Sequence, residues 1–119
     1  MFNKIVNLLV TVLPEKWEKV VLFSHVTNDM YEFFFYVQIK GNYINCFKLK
    51  DDYGISRKSI LSCFDQMYDI MLPDYMEKNW YTATMMISPD GKFSLDYTYD
   101  DYSENEEQFK SEWKNKYLH

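Results

Sequence analysis

The stretch Tyr31-Glu32-Phe33-Phe34-Phe35-Tyr36-Val37-Gln38-Ile39 decides the fold, because its alternation is typical of a β-strand. Every odd position is apolar, whereas the even positions include Glu32 and Gln38. We therefore predict a strand over residues 31–39 with one core face and one amphipathic face. The amphipathic face carries Phe34 and Tyr36, and it fits either a dimer surface or a surface beneath a helix.

Two more strands flank this one along the chain. Residues 17–27 contain Val20-Val21-Leu22-Phe23, which is too apolar to be exposed on both sides, and Asn28-Asp29 is typical of a turn. Gly41-Asn42 stands at a tight hairpin position, and residues 43–49 are predicted to form the third strand. Three consecutive strands with short turns predict an antiparallel meander.

Helical spacing marks the segments on either side of the meander. Residues 2–13 have apolar positions at helical spacing, with Asn3 as the predicted cap and Pro14 as the stop. A second helix is predicted to begin at the cap Ser56. Pro73 leaves its end open: the helix stops there, or it kinks and continues to Glu77.

The remaining chain predicts a hairpin and a last helix. Residues 80–88 and 92–99 are predicted strands, joined by the turn Ser88-Pro89-Asp90-Gly91. Ser103-Glu104-Asn105-Glu106 has the pattern of a capping box, and an aromatic stripe at a spacing of four follows it. The predicted order is α-βββ-α-ββ-α, which is an α+β fold with helices packed on an antiparallel sheet in one domain, residues 1–119. The stripe consists of Phe109, Trp113 and Tyr117.

Composition narrows the class of protein. The chain has 119 residues, 19% of them aromatic, with only three glycines and three prolines, which is typical of one domain with a core. No apolar run approaches the ~18 residues of a membrane span. The apolar start is interrupted by Asn7 and Thr11 and lacks a small-residue cleavage site, so we expect a cytoplasmic protein. Cys46 and Cys63 are predicted to be buried, reduced thiols.

The charge is concentrated in one segment. The net charge is −5, but residues 88–108 hold seven acids and a single base, Lys92. Nucleic acid is a poor partner for this chain, because phosphate binding needs clustered Lys and Arg. A basic protein surface matches this acidic segment better than nucleic acid does. The seven acids are Asp90, Asp96, Asp100, Asp101, Glu104, Glu106 and Glu107.

Catalytic and metal sites are poorly supported by the sequence. A Cys–His pair would need Cys46 or Cys63 beside His25, and nothing in the sequence brings them together. Asp96, Asp100 and Asp101 carry the oxygen ligands that divalent cations prefer, but the glycine-containing loop of an EF-hand is missing. We therefore predict no catalytic residue, no metal and no cofactor.

The acidic segment has two interpretations. Capping of the last helix and simple solubility would explain it as a solvated face. Its interleaving with tyrosines favours a protein-binding surface, in which aromatic rings anchor and charges steer. Alternation predicts that Tyr97 and Tyr99 point inward, which leaves Tyr102 as the exposed anchor. The predicted binding residues are Asp96, Asp100, Asp101, Tyr102, Glu104 and Glu107.

Three stretches in this order resemble a known family. They are Leu13-Pro14-Glu15-Lys16-Trp17-Glu18-Lys19-Val20, Ser88-Pro89-Asp90-Gly91-Lys92-Phe93-Ser94-Leu95-Asp96-Tyr97 and Trp113-Lys114-Asn115-Lys116-Tyr117-Leu118. They are similar to the YezG-like (EsaG-type) immunity proteins, and the resemblance covers most of the chain. It implies a small cytoplasmic antitoxin of a Gram-positive bacterium that neutralises a polymorphic toxin, notably a nuclease exported by type VII secretion.

The expected function is therefore stoichiometric inhibition of a cognate toxin. A chaperone or adaptor for a secreted partner is the alternative, since a sheet edge can bind an extended peptide. A small enzyme or metal-dependent protein is a third, weaker one. The motifs shared within a family also include residues that hold the fold, and we expect Trp17, Trp113 and Tyr117 to pack in the core. The toxin's identity, the mode of inhibition and the oligomeric state stay open.

Overall fold

The computed structural model describes residues 2–119 and is an α+β fold, as predicted. One five-stranded antiparallel sheet has the strand order β3-β2-β1-β4-β5. Two short 3₁₀ turns, Cys46–Lys48 and Ser103–Asn105, lie between the main elements. The helices are α1 (Phe2–Val10), α2 (Leu49–Tyr53), α3 (Arg57–Lys78) and α4 (Glu106–Tyr117), and the strands are β1 (Lys19–Val26), β2 (Tyr31–Ile39), β3 (Asn42–Asn45), β4 (Thr82–Ile87) and β5 (Phe93–Thr98).

Helices cover both faces of the sheet. On one face, α1 and α3 pack over alternate residues of the strands, such as Leu22, Phe35 and Met85, to form the main core. On the other face, α4 packs its aromatic stripe over Val21 and Phe23. The central strand β1 is consequently buried on both sides, which explains its uninterrupted apolar run.

The second face of β2 lies under a helix. Phe34 stacks on Phe23 with ring centroids 4.5 Å apart, and Trp113 of α4 meets Phe34 edge-on at 5.3 Å. The Trp113 indole N–H donates a hydrogen bond to Thr84 Oγ1 at 2.9 Å. Between the two interpretations of this face, the structure therefore supports the helix-covered one, and the stripe on α4 docks as predicted.

Helix α3 continues through Pro73 to Lys78, and its cap is the predicted one. Ser56 Oγ accepts a hydrogen bond from the Ser59 N–H at 3.1 Å. Directly after the proline, the buried carboxylate of Asp74 accepts hydrogen bonds from Trp80 Nε1 (3.0 Å) and Tyr97 Oη (2.9 Å). These bonds tie the end of α3 to β5, so the helix is held in place beyond the proline.

Three local predictions in the first half of the chain are wrong. The third strand ends at Asn45 rather than residue 49, because the Asn45 side chain accepts from the Phe47 N–H at 3.0 Å and starts a 3₁₀ turn. The hairpin loop is Lys40-Gly41, since both residues have positive φ (52° and 80°). Asn3 lies within α1 and is not its cap.

The predicted capping box before α4 is also absent. The Ser103 N–H donates to Asp101 Oδ1 at 2.8 Å, and Ser103–Asn105 form a 3₁₀ turn. Helix α4 then begins at Glu106 with no side-chain cap from Asn105. The carboxylate two residues upstream competes successfully for the N–H that the box would have used.

Candidate functional site

Most of the predicted binding residues lie in one exposed segment between β5 and α4. We call residues 99–107 the acidic connector; it leaves β5 after Thr98, turns at Asp101 and enters α4. The ion pairs among residues 2–119 are Lys78–Asp74 and Lys110–Glu32, so no carboxylate of the connector has a basic partner within the described chain. Its exposed acids are Asp100, Asp101, Glu104, Glu106 and Glu107.

Asp101 combines a charge with a structural contact. Its carboxylate accepts the Ser103 N–H, and this backbone hydrogen bond is the main reason why the pKa of Asp101 lies below its ordinary value. The Ser103 hydroxyl, the Tyr81 hydroxyl and the nearby His25 add smaller effects in the same direction. Asp101 is therefore ionised throughout the neutral range, and it also shapes the connector.

Asp96 lies apart from the connector, on the α4 side of β5. Its Oδ2 accepts a hydrogen bond from Tyr117 Oη at 2.8 Å. Burial, followed by this hydrogen bond and the charge of Asp96, raises the pKa of Tyr117 to about 12. Asp96 therefore anchors the end of α4 to the edge of the sheet while its side chain remains exposed.

The exposures of two tyrosines are the reverse of those predicted. Tyr102 is half-buried, because its ring stacks on Phe109 (centroids 4.1 Å apart) and on Tyr81 (6.0 Å). Tyr99 is 61% exposed, since β5 ends at Thr98 and the alternation ends with it. Tyr99 is thus the exposed aromatic residue next to Asp100, and nothing in the sequence pattern indicates this exposure.

Three of the predicted binding residues have no structural contact of their own. Asp100, Glu104 and Glu107 are exposed, and none of them takes part in a side-chain hydrogen bond or ion pair within residues 2–119. Asp96, Asp101 and Tyr102 each make the contacts described above. The connector therefore presents uncompensated negative charge on a framework that its own side chains help to hold, which is the arrangement that attracts a basic surface.

The groups considered for catalysis lie apart. His25 Nδ1–H donates to the Tyr81 carbonyl at 2.7 Å on the α4 side of the sheet. Cys46 and Cys63 are buried free thiols in the core on the α1 and α3 side, as predicted, and burial raises the pKa of each to about 11.

Within residues 2–119 no three His, Cys, Asp or Glu side chains converge in a way that would hold a metal ion. None of the helices in that range is long and apolar enough to cross a membrane.

The three family-like stretches contribute mainly to the framework. Trp113 and Tyr117 are buried under the sheet, and Trp17 packs against the main core. In the β4–β5 turn, Gly91 has a φ of 85° and its N–H donates to the Ser88 carbonyl at 2.9 Å. The first stretch also lines an open groove of about 740 Å³, together with residues that include Ile39 and Tyr53.

Comparison with known proteins gives the same family over the whole chain. The family model described as "Immunity protein YezG-like" matches residues 1–119. Immunity protein YezG of Bacillus spizizenii (strain ATCC 23059 / NRRL B-14472 / W23) is 25% identical over 129 residues, which cover 99% of this chain and 80% of that protein. Immunity protein YezG of Bacillus subtilis (strain 168) is 26% identical over 98 residues, covering 76% and 65%.

Proposed function

Because the chain belongs to the YezG-like immunity protein family, we propose that it neutralises a cognate toxin by binding it stoichiometrically, without catalysis of its own. We further propose that the toxin is a nuclease exported by type VII secretion and that binding takes place in the cytoplasm. Both Bacillus relatives are immunity proteins, which supports the first part of this proposal. The remaining support comes from the charge distribution of the chain.

The observation that carries the proposal is the uncompensated charge of the acidic connector. A nuclease grips phosphates with Lys and Arg, so its substrate cleft is basic. Six carboxylates from Asp96 to Glu107, with no Lys or Arg among them, complement such a cleft or its rim. The charges would steer the encounter, and complementary charge raises association rates to about 10⁸ M⁻¹s⁻¹ or more at low salt.

A charge-neutralising variant with a matched control tests this role. The variant Asp100→Asn/Glu104→Gln/Glu107→Gln removes three connector charges that make no structural contact. The control Asp51→Asn/Asp69→Asn/Glu77→Gln removes three exposed acids elsewhere, so both proteins change from −5 to −2. Both should fold as the wild type does, because neither set fills the core.

Association of each protein with the toxin encoded beside its gene is then measured at low and high salt. We expect the connector variant to associate at least about tenfold more slowly than the control at ~50 mM salt. At ~500 mM salt the gap should close, since the Debye length falls from ~14 Å to ~4 Å. Equal association rates at ~50 mM salt would mean that the connector is only a solvated face.

The adaptor alternative is distinguished by truncating the partner. An immunity protein should bind the isolated toxic domain and abolish its activity at one-to-one stoichiometry. An adaptor should instead retain binding to a partner from which the toxic domain has been removed. If the neighbouring toxin neither binds nor is neutralised, the proposed function is refuted.

A further inference from the structure

The edge strand β5 has unused backbone hydrogen-bonding groups. The Ser88 N–H donates to the Lys92 carbonyl at 3.0 Å, and the β4–β5 register pairs Met86 with Ser94. Because hydrogen-bonded pairs alternate along an antiparallel ladder, the even residues of β5 bond to β4. The N–H and C=O groups of the odd residues point away from the sheet. These residues are Phe93, Leu95 and Tyr97.

β5 also lacks the usual protection of an edge. The strand reads Phe-Ser-Leu-Asp-Tyr-Thr, with no Lys and no Pro, and most of its residues are exposed or half-exposed. The opposite edge, β3, has only four residues and runs directly into the Cys46–Lys48 turn. Natural edge strands are commonly blunted by lysines, prolines or short length. β5 is six residues long and its one charged residue is Asp96, so it is a template for another strand, and that charge favours a basic one.

We propose that β5 is the docking strand for the toxin, which adds an extended segment to the sheet antiparallel or parallel to β5. This inference rests on the proposed function and names the surface and the binding mode. Main-chain hydrogen bonds to Phe93, Leu95 and Tyr97 would hold the segment, as in other strand-addition complexes. The incoming strand carries Lys or Arg on the α4 side, next to Asp96, and apolar side chains on the other side, next to Leu95.

The negative charge around β5 favours a basic partner over a second copy of this chain. Residues 88–108 include the whole of β5 and carry seven acids against one lysine. Pairing β5 with its own copy would bring no Lys or Arg beside Asp96, because the strand contains neither, and like charges across a strand pair are destabilising. A basic segment instead gains from Asp96 and, beyond the strand end, from Asp100 and the rest of the acidic connector. Tyr99, 61% exposed, offers its ring at that same end.

Amide hydrogen exchange on the unmodified protein tests the inference directly. In the free chain, the amides of Phe93, Leu95 and Tyr97 should exchange rapidly, whereas those of Ser94 and Asp96 should be protected by β4. In the complex with the toxin encoded beside the gene, the three outward amides should slow by about 100-fold or more. The β3 edge should not change.

A pair of substitutions at one position provides a second test. Phe93→Pro removes the outward N–H at the first residue of the strand, where proline is tolerated, and Phe93→Ala removes the same side chain but keeps the N–H. Urea denaturation first confirms that both variants fold. We expect Phe93→Pro to bind the toxin about tenfold more weakly than Phe93→Ala, because one backbone hydrogen bond is lost.

The outcomes separate this inference from the proposed function. If the toxin is bound and neutralised while the outward amides still exchange rapidly, or if the two Phe93 variants bind equally, docking on β5 is wrong and the immunity role stands. If the outward amides are already protected in the free protein and the chain elutes as a dimer, a second copy occupies the edge and the toxin does not. If no complex forms, the immunity role is refuted and docking on β5 with it.

Discussion

Neutralising Asp74 should weaken the attachment of β5 to α3. This carboxylate is 7% exposed and accepts hydrogen bonds from Trp80 Nε1, Tyr97 Oη and Lys78 Nζ, the last at 3.1 Å. Hydrogen bonds to a charged acceptor contribute about 1.5–3 kcal/mol each, whereas the ion pair with the exposed Lys78 adds little because solvent screens it. Asp74→Ala would also leave the buried Trp80 N–H without an acceptor. We expect it to lower the free energy of unfolding by about 3–5 kcal/mol.

Asp74→Asn keeps one acceptor oxygen and removes the charge, so we expect a smaller loss of about 1–2 kcal/mol. Asp69→Asn, an exposed change on the same helix, serves as the control and should be nearly neutral. Urea unfolding followed by tryptophan fluorescence at pH 7 measures all three variants. If Asp74→Asn is as stable as Asp69→Asn, the carboxylate network does not stabilise the fold as argued.

The pKa of Asp74 determines the direction in which the stability of the fold changes with pH. Burial acts to raise the pKa of Asp74, but the hydrogen bonds from Trp80, Lys78 and Tyr97 outweigh it and place the pKa below its ordinary value of 3.8. A depressed pKa stabilises the folded state above the unfolded pKa, and that stability is lost as the pH falls through the folded pKa. The difference in the free energy of unfolding between wild type and Asp74→Asn should therefore be constant near neutrality and should decrease below about pH 4. A difference that stays constant down to pH 2 would contradict this explanation.

Two further substitutions and one chemical probe test other parts of the framework. Trp113→Ala should lower the free energy of unfolding by about 3–5 kcal/mol, because the buried indole anchors α4 and donates to Thr84; a loss under about 1 kcal/mol in urea denaturation would show that α4 is held elsewhere. Gly91→Ala should lower the free energy of unfolding by about 1–2 kcal/mol. The φ of 85° is the cause, because a Cβ at this position meets no other atom within 4 Å; an unchanged urea midpoint would show that alanine does not strain the turn. Cys46 and Cys63 should react with iodoacetamide at pH 8 at least about 100-fold more slowly than in urea, because burial raises both pKa values to about 11; comparable rates would mean that the thiols are accessible.

Elements with a strong period were predictable from the sequence, and those set by a single side chain were not. The alternation of residues 31–39 and the stripe from Phe109 to Tyr117 each demand one buried face, so β2 and α4 follow directly. β3 ends early because the Asn45 side chain captures a backbone N–H, and the start of α4 shifts because Asp101 does the same. Such local hydrogen bonds leave no periodic signal.

The candidate site was predictable in its charge but not in its exposed aromatic residue. The acids of the connector are visible in the composition of residues 88–108. Which tyrosine is exposed depends on where β5 ends and on the stacking of Tyr102 between Tyr81 and Phe109, and these rings come from three different elements. Nor does alternation show that β5 is an edge, because the order of strands is set by the distant pairing of β1 with β4.

The pairing of β1 with β4 also has a consequence for the rate of folding. β1–β2 and β4–β5 are hairpins closed by short loops, and such units form within about 1–10 μs. The β1–β4 pairing joins these two hairpins and brings together Val20 and Ile87, which lie far apart in the chain. The chain therefore loses the entropy of closing a long loop before the contacts of this pairing form. Pairings this distant in sequence slow folding far more than local ones do. We therefore expect closure of the β1–β4 pairing, rather than formation of either hairpin, to limit the rate at which the folded sheet appears.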